Sequence, residues 1–218
     1  HNGMGENGRL TSTTDETKAD PYAWKNVLAL PLVGSANDTS NSVNSGSTTK
    51  AITANGGAAA SSAASNFYNG SFIFDGSGDY LTTPDSADFD LAGNDFTIEA
   101  FVYHSSTNFG SYESVIGQWS DSSTGSVVFE TVGAGASSRL DFYYVDTSNN
   151  VVGPIAGISL QKERWHHVAV CRSGSSIRIF VDGVGTTASS ISVNIRNSSD
   201  PVTIGGQIAG SGGYWNGY

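Results

Sequence analysis

Residues 71–103 read SFIFDGSGDYLTTPDSADFDLAGNDFTIEAFVY, and the fold turns on how this stretch is parsed. Ser71 to Phe74 and Tyr80 to Thr83 are short apolar runs, closed by Asp75-Gly76 and by Pro84-Asp85. Phe96 to Tyr103 is longer and alternates. Phe96, Ile98, Ala100 and Val102 fall on one side, and Thr97, Glu99, Phe101 and Tyr103 on the other. Successive side chains of a strand point to opposite faces, so this is a strand pattern. Bulky groups on both sides place the strand mid-sheet in a sandwich.

The same pattern continues outward. Strands are expected at 114–119, 126–132, 139–146 and 151–160, the last interrupted by Gly153-Pro154. In RWHHVAVCR (164–172), Trp165, His167, Ala169 and Cys171 share one face, and His166, Val168 and Val170 the other. Ile177, Ile179 and Val181 form the buried side of the next strand. Asp182-Gly183 then turns the chain back into 184–187, since glycine accepts the positive φ of a tight hairpin turn. Further strands are expected at 189–195 and 202–206. No long run has helical periodicity, and a chain of 218 residues suits one large all-β domain.

Residues 1–20 are polar and read as an arm or linker, with a boundary at Asp20-Pro21. The first residue, His1, reads as the cut end of a longer polypeptide. Residues 33–66 are rich in Gly, Ala, Ser, Thr and Asn, which suits either disorder or an ordered loop with a short strand near 49–53. Three sequons, at Asn37, Asn69 and Asn197, are no more than such a composition produces by chance.

The net charge is −10, and between residues 51 and 138 there are ten acidic residues and no Lys or Arg. Such a surface repels nucleic acid and anionic membrane, so neither is an expected partner, and no run is apolar enough to cross a bilayer. Cys171 is the single cysteine, so no internal disulfide forms and a small buried core residue is expected there. His166 and His167 point to opposite faces and cannot share a metal.

The segments FDGSGDYL, DFTIEAFVY, ERWHHVAVCRSGSSIRIFVDGV and VTIGG followed by YWNGY occur in an order that resembles the laminin-G-like, concanavalin A-like lectin and glucanase family. The likeness covers roughly residues 22–218. It implies a two-sheet antiparallel jelly-roll sandwich over 21–218. It also implies an opening strand at Trp24 to Leu32 and an ordered loop at 33–66. WNGY would lead into a last strand that this chain does not contain. A neighbouring subunit or further polypeptide is then expected to complete the sheet by strand addition. Trp165 and Trp215 are structural in the family.

The resemblance also sets expectations for function. The Glu-x-Asp-x-x-Glu strand of family glucanases is absent, so no enzyme is expected, although Glu99 and Glu130 are strand glutamates with reach into a cleft. Six aspartates fall between residues 75 and 95, and calcium favours such oxygen donors. The resemblance places a calcium site at Asp75 and Asp38, the alternative being that Asp75 caps its own turn. Phe109, Tyr112, Trp119 and Tyr143 are the candidates for stacking on a sugar ring, each equally suited to the core. The expected role is non-catalytic recognition of a glycan or cell-surface polymer, on a phage virion, tail fibre or secreted surface protein. The alternative is a structural subunit whose contacts are with protein.

Overall fold

The structure, a computed structural model, describes residues 21–105, 107–207 and 212–218. The polar arm at 1–20 lies outside the described residues. In chain order the strands are β1 (Thr53–Asn55), β2 (Ala59–Ser61), β3 (Ser71–Asp75), β4 (Tyr80–Thr83) and β5 (Phe96–Tyr103). Then come β6 (Tyr112–Gln118), β7 (Val127–Val132), β8 (Ser137–Val145), β9 (Val151–Gln161) and β10 (Trp165–Ser173). The last are β11 (Ser176–Val181), β12 (Val184–Gly185), β13 (Ser189–Ser190), β14 (Val202–Ile204) and β15 (Asn216–Gly217). A single helical turn, α1 (Ser40–Val43), lies in the first long connection.

One layer is a seven-stranded sheet in the order β1-β4-β14-β6-β7-β8-β9. The other is built from β12-β11-β10-β5, with β13 beside β11, and from a smaller sheet β15-β3-β2. All the pairings are antiparallel. The two parts of the second layer meet at the C-terminal residues. Tyr103 and Tyr218 exchange N–H···O bonds of 2.7 and 2.8 Å, and Ser105 N donates to Asn216 O at 2.9 Å. Gly217 is required there, because a Cβ would lie 2.0 Å from Tyr103 O.

Alternation builds the core between the layers. Phe129, Leu140, Phe142 and Tyr144 face inward from the first sheet and Val168, Val170, Ile177 and Ile179 from the second, all 2% exposed or less. The rings of Phe96 and Phe142 meet across the interior at 6.1 Å. Each such side chain contributes about 1.5–3 kcal/mol by leaving water. The result is an antiparallel jelly-roll sandwich.

Several expectations change. Trp24 to Leu32 forms no strand. Ala23–Lys25 is a short 3-10 turn, Leu32 adopts φ 53°, and Ala29 is tied to the next loop by Thr39 N and Asp38 Oδ1. Among the described residues no ladder lies beside it, and Pro31 donates nothing to one. The segment 33–66 is an ordered connection with two short strands, β1 at 53–55 and β2 at 59–61, rather than one near 49–53. Strand β5 is not mid-sheet. β10 covers one side, while on the other only its last residue is bonded, to Tyr218, among the described residues. Strand β9 runs through Gly153-Pro154 by shifting register against β8. The 189–195 run yields only β13, with Ile195 making a lone bridge to Asp146. Cys171 is half-buried on the outward side of β10, accepting from Thr97 Oγ1 at 3.4 Å, not a core residue.

Candidate functional site

Because Phe129, Leu140 and Phe142 fill the core, the alternate residues of β7 and β8 must face away from it. Register sets them in rows. Ser114 on β6 lies opposite Glu130 on β7, which lies opposite Asp141 on β8, which lies opposite Ala156 on β9. One neighbouring row is Tyr112, Val132, Arg139 and Ser159, and the other is Gly117, Val128 and Tyr143. A polar line thus crosses the sheet between two tyrosine-bearing rows.

This polar line is unusually buried for an outer face. Asp141 and Ser114 are 0% exposed and Glu130 is 9% exposed. A carboxylate so deprived of water needs a partner. Arg139 supplies it through Nε to Oδ1 and Nη2 to Oδ2, both 2.6 Å. The hydrogen bond and the charge of Asp141 raise the Arg139 pKa and hold its proton more firmly. Glu130 has no cation beside it among the described residues. It accepts from the neutral amide Gln207 Nε2 at 3.0 Å. Burial, with help from the Asp141 charge and against the Gln207 bond, pushes its pKa up to about 7. The Tyr143 phenol is raised by burial and by the charges of Asp141 and Glu130, with Arg139 opposing. The Ser114 hydroxyl is buried without a protein partner among the described residues. At neutral pH this face offers two tyrosines and the edge of a carboxyl that both donates and accepts, set over the enclosed Ser114 and Asp141.

The four aromatic candidates separate. Tyr112 and Tyr143 flank the polar line. Tyr112 is 41% exposed, and Tyr143 lies over Gly153, where a Cβ would come within 2.6 Å of its Cδ1. Trp119, just past β6, sits on the order of 20 Å along the strand from Tyr112, against Gly125. Phe109 is not on this face. It is 2% exposed, stacked on His104 at 3.8 Å, and its backbone bridges Gly135, which folds the loop inward. His104 in turn bonds buried Glu113 at 2.9 Å. Asp141, Arg139, Ser114 and Gln207 were not singled out from sequence. The signal for two of them was there, since Arg139, Asp141 and Tyr143 alternate in RLDFYYV. Glu99, by contrast, lies on the other layer and is hydrogen-bonded to His167 Nε2 at 3.0 Å.

The calcium candidates do not converge. Asp38 accepts from the amides of Ala29, Ser40 and Lys50 and from the Ser40 hydroxyl, at 2.7–3.0 Å. Burial would raise its pKa, but these bonds more than offset that and lower it. They also use the lone pairs a cation would need. Asp75 is exposed and accepts from Ser77 N at 2.7 Å, capping its own turn. Among the described residues no three His, Cys, Asp or Glu side chains group as a metal site.

The family model for the concanavalin A-like lectin/glucanases superfamily, of laminin G type, matches residues 75–218. No curated protein matches the chain in sequence. Among solved structures, domain 4 of AbnA, a GH43 extracellular arabinanase from Geobacillus stearothermophilus in complex with arabinotriose, superposes with a TM-score of 0.53 at 12% identity. That match covers 83% of this chain and 79% of the other. A tryptophan-to-alanine mutant of HCR/D gives a TM-score of 0.58 at 10% identity, over 84% of this chain and 43% of that one.

Proposed function

The chain belongs to the concanavalin A-like lectin/glucanases superfamily, and on that footing we propose that it is a non-catalytic carbohydrate-recognition module. The ligand is a glycan or cell-surface polymer, held on the outer face of the seven-stranded sheet. The observation that carries this reading is the buried polar line Ser114–Glu130–Asp141 set between Tyr112 and Tyr143. Sugar sites combine aromatic surface with a few placed hydrogen-bonding groups. The arabinotriose held by the similarly folded arabinanase domain supports the same reading. Asp141 is locked to Arg139, so the two carboxyls are not two free groups framing a bond, which favours binding over hydrolysis. The setting proposed is an extracellular or virion surface.

A glycan array, run with and without chelator, tests this. We expect saturable binding insensitive to chelator, weakened at least tenfold in Tyr112→Ala and Tyr143→Ala while circular dichroism stays native. Full binding by both variants would move the site elsewhere.

The second reading, a structural subunit in an assembly, is favoured by the unpaired side of β5 among the described residues and by Phe67, Tyr68 and Phe101, 45–58% exposed on that layer. A neighbour's strand adding to β5 is the form such a contact would take. Sedimentation of the isolated chain as a monomer at all concentrations would count against self-assembly.

A further inference from the structure

The recognition reading names a face but not what its ligand must carry. Resting on that reading, we propose that Arg139 is the face's ligand-binding donor and that the glycan it takes bears a carboxylate, as a uronic acid does. Leu140 points into the core, so Arg139 beside it points out. Its side chain is 45% exposed, whereas the Asp141 carboxyl it pairs with is wholly enclosed. Nε and one hydrogen of Nη2 go to Asp141, both at 2.6 Å, and this fixes the guanidinium plane from below. The hydrogens of Nη1 and the other one of Nη2 meet no acceptor among the described residues.

A guanidinium can grip a pair of oxygens by more than one edge. Asp141 occupies the Nε–Nη2 edge, and the Nη1–Nη2 edge is left. Two parallel N–H groups there match the two oxygens of a carboxylate and give short, charge-assisted bonds. A neutral sugar hydroxyl accepts from one N–H at a time and brings no charge. Because the plane is already held, little side-chain freedom is lost on binding. The surroundings suit a chain of sugars. Arg139 shares a row with Tyr112, through Val132, and with exposed Ser159. Tyr112 is two strands away, on the order of 10 Å, and Tyr143 lies four residues along β8, on the order of 13 Å. Rings at those points can stack on neighbouring sugars while Arg139 takes the acid group. The net charge of −10 opposes an anion from afar, but such fields are screened beyond about 8 Å at physiological salt, and a bidentate contact is not. Burial pushes the Glu130 pKa up to about 7, so near pH 6 Asp141, already paired, is the one ionised acid in these rows.

The test is calorimetry at pH 6 with an oligogalacturonide, an oligoguluronate and neutral arabino- and xylo-oligosaccharides of matched length. Expected is binding of a uronate at least tenfold tighter than either neutral probe, and weaker at raised salt. The double variant Arg139→Ala with Asp141→Asn removes both charges together, and its fold is checked by urea unfolding. It should lose at least tenfold in uronate affinity and less than twofold for the neutral probes. Arg139→Lys keeps the charge without the fork and should lose severalfold for the uronate. Neutral probes binding as tightly, or uronate binding untouched in both variants, would overturn this inference and leave the recognition reading intact. Absence of any hit, with these probes and on a wider array of neutral and uronic glycans, would overturn the recognition reading and this inference with it.

Discussion

Glu130 concentrates the consequences at the scale of single residues. Its carboxyl is protonated below pH 4.5 whether the chain is folded or not, and there its burial costs little. Between 4.5 and about 7 the unfolded chain gives up the proton while the folded one retains it, so stability falls as pH rises through that window. Above it the cost is constant, on the order of 3 kcal/mol from the size of the shift. Glu130→Gln should therefore raise Tm at pH 8 and leave it unchanged at pH 4, a contrast that thermal melts across pH will read. Arg139 behaves oppositely. Arg139→Ala leaves Asp141, 0% exposed, as a buried unpaired carboxylate and should cost about 2–4 kcal/mol in urea unfolding at neutral pH. Adding Asp141→Asn to that variant should recover most of the loss. If the double variant is no more stable than the single one, the pair is not what holds this part of the sheet.

At the scale of elements, the site depends on how β9 passes beneath Tyr143. Gly153 has φ 144°, and its missing Cβ leaves room for the ring. Gly153→Val should displace Tyr143, lower stability by about 1–3 kcal/mol and weaken glycan binding together, measured by melting and calorimetry. Elements also show where reading a sequence succeeds and where it stops. In RLDFYYV, Leu140 and Phe142 alternate with Asp141 and Tyr143, and the structure turns the first pair inward and the second outward, a choice of side that alternation alone left open. Asp182-Gly183 turned where expected, with φ 51° and 80°. Phe109 was beyond reach because a loop has no period to say which way a ring points. The register shift between Ser114 and Ile116 resets parity within β6, so Ser114 and Glu113 could not be assigned by counting. Gln207 meets Glu130 across 77 residues, a contact no local pattern contains. Trp24 to Leu32 has the apolar content of a strand, but a strand needs a ladder, and that requirement is not written in the segment itself.

Over the whole molecule, the two tiers differ in continuity. The first is one uninterrupted seven-stranded sheet. The second consists of two pieces that, among the described residues, are sewn together only where 216–218 meet 103–105. Such a seam is a crease. The β2–β3 ribbon can loosen along it while β10 and β11 stay closed over the interior. Amide exchange should accordingly resolve two opening free energies, a low one for Phe72 to Phe74 and a high one for Val168 to Val170. Gly217→Val, which forces a Cβ against Tyr103 O, should lower the first and spare the second. A molecule built this way would be able to yield at one margin under load without surrendering its seven-stranded sheet.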